Sequence, residues 1–178
     1  VGAETHSTER RLTGKIQAMM SDPRLKGRVI WLLMTARIHL LSPDIRRPGR
    51  VGDLIIPVLD PIDDDRTEFI RWVAESVLEA PSEHDIQRID ELTPGYSAAA
   101  FASLRSQLRG CDAKTIEDVI NIVNDLLLPA IESTRRYQTL QALLNCTRRS
   151  LLPGTDLTDR DREGWHQEIL ALESRGIH

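Results

Sequence analysis

Aromatic side chains are scarce in this chain, at 4% of 178 residues, and there are only two cysteines. With so few aromatic residues, leucine, isoleucine, valine and alanine must supply most of the buried core. Two cysteines exclude a disulfide-rich scaffold. We interpret Cys111 and Cys146 as reduced thiols, with a single disulfide between them as the alternative.

Long apolar runs and an excess of positive charge are also missing. No run approaches the roughly 20 residues that a membrane-spanning helix requires. Residues 1–8 lack the basic start and apolar stretch of a signal peptide. The net charge of −4 does not indicate a general nucleic-acid-binding surface. We therefore expect a cytoplasmic protein whose partners are neither membrane nor nucleic acid.

The sequence further lacks the groups that bind nucleotide phosphates and magnesium. A phosphate cradle reads Gly-x-x-x-x-Gly-Lys-Ser/Thr, whereas Thr13–Lys15 has neither the upstream glycine nor the following hydroxyl residue. An apolar strand ending in Asp-Glu would hold Mg²⁺, but Asp90 and Glu91 lie in an amphipathic helical pattern. No spacing indicates a metal site, and we expect exposed side chains at the isolated histidines His39, His84 and His166. Alone, the chain should neither hydrolyse ATP nor carry a bound cofactor.

The front of the chain combines one helical pattern with two apolar runs. Apolar residues recur at helical spacing over 9–20, which predicts a helix. Val29–Met34 and Leu54–Val58 are rich in β-formers and predict two strands. Two strands do not form a stable sheet alone, so they require further strands, a partner chain or cover from helices.

From Asp60 onward the pattern is helical throughout. The periodicity predicts helices over about 64–78, 82–92, 97–108, 112–127, 129–149 and 158–175. Capping residues mark four of the helix starts, namely Ser82, Ser97, Asp112 and Thr158.

Three arginines cluster around a Pro-Gly pair in Arg46–Arg50. Together with the preceding turn, residues 34–50 closely resemble the second region of homology of AAA-family ATPases. In that family a core strand ends in a Thr-Asn-Arg-like turn, a short helix follows, and an Arg-x-Gly-Arg element presents arginine fingers. The resemblance implies that Arg47 and Arg50 reach across a subunit interface to the γ-phosphate held by a neighbouring copy.

The same arginines have a simpler alternative reading, a solvated basic loop that pairs with Asp44 and Asp53. Arginine suits the finger role because its planar guanidinium stays charged and forms forked bonds to phosphate oxygens. The resemblance also places Thr35 and Ala36 in the sensor turn. The family usually has asparagine where this chain has Ala36, so sensing or hydrolysis should be weakened unless Thr35 compensates.

The resemblance covers about residues 9–110. Glu9–Met20 is similar to the helix that precedes the family's sensor strand, and Arg66–Ile70 to the start of its helical lid. Gly95–Phe101 resembles the segment with which the lid touches adenine, although an alanine replaces one glycine. This implies nucleotide-covering roles for Gly95, Ser97, Ala98 and Ala99.

We therefore predict a mainly α protein, a helical lid bundle with a two-strand remnant of a P-loop-type α/β subdomain at its N-terminal side. Residues 1–60 would complete that subdomain, 61–128 would form the lid, and 129–178 a C-terminal helical extension. The resemblance implies a full-length protein that binds ATP and Mg²⁺ between its own copies in a ring, expected to be hexameric, and remodels a protein substrate. The alternative is a non-catalytic helical interaction module derived from such an ATPase.

Overall fold

The computed structural model describes residues 11–12, 14–47, 53–127, 129–154 and 158–178. Helices dominate these residues, as the sequence predicts. The α-helices that follow an N-terminal helical stretch at 14–20 are α1 (Pro43–Arg46), α2 (Asp63–Ala74), α3 (Glu83–Leu92), α4 (Ala98–Gly110), α5 (Ile116–Asp125), α6 (Glu132–Asn145) and α7 (Asp159–Ser174). Short 3-10 turns accompany them, among them Ile38–Leu40 and Arg149–Leu151.

The chain divides into two compact units. The four-helix unit is Leu59–Ala130 and contains α2 to α5. The split unit combines Val1–Val58 with Ile131–His178 and contains α1, α6 and α7. Residues that lie about a hundred positions apart in the sequence therefore share one unit.

The four-helix unit is built around an aromatic pair within an aliphatic core. Phe101 is fully buried and stacks on Phe69 with 5.9 Å between ring centroids, and Tyr96 lies 5.4 Å from Phe101. The other residues of this hydrophobic core are aliphatic and come from all four helices: Ile70, Val73, Ala74, Ile86, Ile89, Leu104, Leu108, Val119 and Val123. Phe69, Tyr96 and Phe101 thus lie in or against this core, whereas Trp72 is exposed.

Local capping signals set most of the helix starts in this unit. The Ser82 hydroxyl accepts from the Asp85 amide, and the Asp85 carboxylate accepts from the Ser82 amide. Ser97 caps α4 in the predicted way. The predicted cap at Asp112 is wrong, because Asp112 has a positive φ of 51° and the helix begins only after Thr115, which forms a capping box with Asp118.

The split unit is held by the packing of α6 on α7. Its buried cluster consists of Tyr137, Leu140, Ile169 and Leu172. At the edge of this contact, Arg136 and Glu168 form a forked pair with distances of 2.7 and 2.6 Å. Hydrogen bonding to Arg136 lowers the pKa of the Glu168 carboxyl. The two helices are therefore joined by an apolar contact and by an ion pair beside it.

The two predicted strands are not present among the described residues. Val29–Met34 and Leu54–Val58 have no regular secondary structure, and no strand occurs elsewhere in the described ranges. Exposure alternates along the first run: Ile30, Leu32 and Met34 are 96%, 80% and 88% exposed, with half-buried residues between them. The prediction of two strands is therefore wrong: both runs have a β-type composition, but a strand forms only when a neighbouring strand supplies hydrogen bonds.

Within the described part of the chain, no helix combines the length and the apolar character needed to cross a membrane. Both Cys111, which is exposed, and Cys146, which is buried, are free thiols.

Candidate functional site: the arginine segment

The arginine segment, residues 42–50, begins at a short capped helix. The Ser42 hydroxyl accepts a hydrogen bond from the Asp44 amide at 3.2 Å, as expected for the N-cap of α1. Pro43 at the first helical position fits the same start, because its missing amide hydrogen has no partner to lose there. Ile45 is only 5% exposed and anchors this turn in the split unit.

The two described arginines of the segment differ in environment. Arg46 is half-buried and donates from Nη1 to Asn145 Oδ1 at 2.9 Å, whereas its buried Nε has no hydrogen-bond partner among the described residues. The Arg47 side chain is 72% exposed and lies 3.3 Å from the Asp44 carboxylate. An ion pair between two such exposed groups contributes little stability. The residues just before Arg47 are thus held in place, whereas its guanidinium is accessible to solvent.

Arg50, the second predicted finger, lies outside the described residues, as does the Pro48-Gly49 pair. Of the predicted sensor turn, Thr35 and Ala36 are both exposed. The Thr35 hydroxyl accepts from the Arg37 amide at 3.0 Å, so it already has a local partner. Ala36 offers no polar side-chain atom at this turn.

The predicted nucleotide-covering residues form the start of α4 in the four-helix unit. Gly95 has a φ of +67°, a left-handed conformation that favours glycine. The Ser97 hydroxyl accepts from the Ala100 amide at 3.2 Å, which occupies it as a helix cap. Ser97 and Ala98 are half-buried and Ala99 is exposed. These residues lie together, but in a different unit from the arginine segment.

Arg66 supports this turn in a way that the sequence reading did not identify. Its guanidinium donates to Asp90 Oδ1 at 2.6 Å and to the Thr93 carbonyl at 2.7 Å, and it lies over the Phe101 ring at 5.3 Å. Thr93 is fully buried and donates to the Ile89 carbonyl. The Arg66–Ile70 resemblance pointed to the residue, but its partners are 24 and 27 positions away and carry no local signal.

His39 lies against α6 and is half-buried, so the expectation that its side chain is exposed is wrong. Its ring meets Tyr137 edge to face with 5.1 Å between centroids, and its buried Nδ1 has no hydrogen-bond partner among the described residues. Tyr137 in turn donates to Glu173. Burial, followed by the positive charge of Arg37, lowers the pKa of His39 below its ordinary value of 6.5, and Glu173 opposes this only in part.

This environment predicts a pH-dependent stability for the split unit. Because the pKa of His39 is lower in the folded state than in the unfolded state, the unfolded chain binds more protons at mildly acidic pH. The contribution of neutral His39 should be fully present above pH 6.5 and lost as the pH falls through its lowered pKa. Urea titrations from pH 7.5 to 5 on the chain and on His39→Phe, which keeps an aromatic contact, measure it. An equally steep acid loss in the variant would contradict this assignment.

Beside the α6–α7 contact lies a cleft of about 320 Å³. It is lined by both charges of the Arg136–Glu168 pair and by Glu132 and Arg175. No group of His, Cys, Asp or Glu side chains within the described ranges is arranged to hold a metal ion.

Comparison with known proteins shows a distant similarity to a protein of an archaeon. Protein SAV from Sulfolobus acidocaldarius is 28% identical over 103 residues, which is 58% of this chain and 13% of that protein. No protein-family profile matches the chain, and no solved structure matches it. The chain thus spans a small fraction of the relative it matches, so the activity, substrates and partners of the whole protein are matters for proposal.

Proposed function

We propose that this chain is the C-terminal part of an AAA-type ATPase module, which contributes arginine fingers and a nucleotide-covering lid to a ring assembly. The observation that carries the proposal is Arg47. Its side chain is 72% exposed, while the adjacent Arg46 is bonded to Asn145 and the adjoining Ile45 is buried. An exposed guanidinium whose preceding residues are held in place suits contact with a phosphate of ATP bound to another subunit.

The division of roles follows from the side chains that are present. Phosphoryl transfer needs a phosphate cradle, Mg²⁺ ligands and a cation that stabilises developing charge. The sequence supplies the cation in Arg47 and Arg50 but neither of the other parts. ATP and Mg²⁺ would therefore be held by the nucleotide-binding half of the full-length protein. Gly95, Ser97, Ala98 and Ala99 would cover the nucleotide base, and the ring would couple hydrolysis to remodelling of a protein.

The chain by itself should not bind ATP tightly, because phosphate and metal contacts supply most of the electrostatic attraction. Calorimetry with Mg-ATP is expected to show little or no heat. Lys15→Ala is the matched control, since Lys15 belongs to the incomplete cradle and its loss should change nothing. Submicromolar affinity that disappears in Lys15→Ala would show a functional cradle and contradict the proposed division of roles.

A second candidate is a non-catalytic interaction module with AAA-like surfaces. The observation that favours it is the exposed apolar row of Ile30, Leu32 and Met34, which a partner protein could cover. Arg47→Ala separates the two candidates, because it should lower turnover about a thousandfold in an ATPase and leave a binding module intact. Leu32→Asp should weaken association in the module and serves as the reciprocal test.

A further inference from the structure

Two hydrogen-bonded anchors flank Arg47, and both come from the same short stretch of the C-terminal extension. On one side, Arg46 Nη1 donates to Asn145 Oδ1 at 2.9 Å. On the other, the Ile55 amide donates to the Thr147 hydroxyl at 3.0 Å, and the Ile55 carbonyl accepts from the Thr147 amide at 3.4 Å. The anchors lie 99 and 92 positions from the groups they hold.

Asn145 is itself oriented for this contact. Its Nδ2 donates to the Gln141 carbonyl one turn earlier in α6, at 2.8 Å, which leaves Oδ1 available to Arg46. Asn145 and Arg46 are both half-buried, so water competes less for the bond between them. Cys146, the residue between Asn145 and Thr147, is also held in place: it is buried, and its Sγ lies 3.2 Å from the Arg148 carbonyl.

We infer that Asn145 and Thr147 are positioning residues for Arg47, an inference that rests on the proposed function. Asn145 holds the side chain of Arg46, the residue before Arg47, and Thr147 holds the backbone of Ile55, further along the chain. Both contacts restrict the positions open to Arg47, so its guanidinium needs less ordering when it meets a phosphate. The C-terminal extension, to which the sequence assigns no role, thereby becomes part of the machinery that presents the arginine.

The anchor is tested first in the 178-residue chain by hydrogen exchange. Asn145→Ala should accelerate exchange of the Ile45 and Arg46 amides about tenfold, because their bonds to the Ser42 carbonyl open when the Arg46 side chain is released. Asn145→Asp keeps an acceptor for Arg46 and should restore slow exchange. Asn121→Ala, an exposed helical asparagine in α5, is the matched control. No local acceleration, or equal acceleration at Leu140, would overturn the anchor.

The consequence is tested in the full-length ATPase. Asn145→Ala and Thr147→Val should each lower kcat at least tenfold with KM for ATP nearly unchanged, and Asn145→Asp should recover most of the kcat. If Arg47→Ala stops turnover but neither anchor variant changes kcat, the positioning inference fails and the proposed function stands. If Arg47→Ala itself leaves turnover at the wild-type rate, the finger assignment fails, and the positioning role fails with it.

Discussion

Under the proposed function, Arg47→Ala in the full-length protein is expected to lower ATP turnover by about a thousandfold, the lower end of what arginine fingers contribute. Nucleotide affinity should stay largely intact, because the cation acts on charge that develops during the reaction. The only partner described for Arg47 is the exposed Asp44, so little folding free energy depends on it. Steady-state hydrolysis combined with equilibrium ATP binding measures both effects.

Arg24→Ala is the matched control for this experiment. Arg24 is also an exposed arginine, 87% accessible, and it pairs with a nearby aspartate, Asp22, at 2.7 Å. Its loss removes the same charge from the protein without touching the arginine segment, so turnover should remain at the wild-type rate. Equal losses in both variants would indicate a general charge effect, and unchanged turnover in Arg47→Ala would reject the finger.

Phe101→Ala is expected to destabilise the four-helix unit by about 3–5 kcal/mol. Phe101 is fully buried and contacts Phe69 and Tyr96, and Arg66 lies over its ring. Truncation creates a cavity and also removes the ring that Phe69, Tyr96 and Arg66 contact. A loss of this size is a large fraction of the stability of a small unit.

Hydrogen exchange resolved by residue is the appropriate measurement, because two units need not unfold in one transition. Core amides of α4 and α5 should exchange far faster in Phe101→Ala. Ala102→Gly, at the adjacent exposed position of α4, controls for lost helix propensity and should cost only about 1 kcal/mol. Similar losses in the two variants would show that the ring contributes little to packing.

Local signals in the sequence predicted the helices of this protein well. Ser82 and Ser97 begin helices because a side-chain oxygen and an amide a few residues away are sufficient to form a cap. The same reasoning placed one start at Asp112 instead of Thr115, because both residues can cap and only the fold decides between them.

Contacts that depend on distant residues could not be predicted. Val29–Met34 has the composition of a strand, but a strand also needs a neighbour, and none lies within the described residues. Arg46 bonds to Asn145 99 positions later, and nothing near Arg46 in the sequence indicates this partner. His39 was expected to be exposed because nothing near it in the sequence indicates Tyr137. The sequence shows that residue 47 is an arginine, but it does not indicate how exposed that side chain is or how its neighbours are held.

The anchors on Asn145 and Thr147 also fix an order of events during synthesis. The four-helix unit is continuous, so every residue of its core is available once Ala130 has left the ribosome. The arginine segment is made earlier, yet Arg46 and Ile55 have no anchor until residue 147 has been translated. A nascent chain therefore carries Arg47 for about a hundred residues of synthesis before both anchors exist to hold the segment around it.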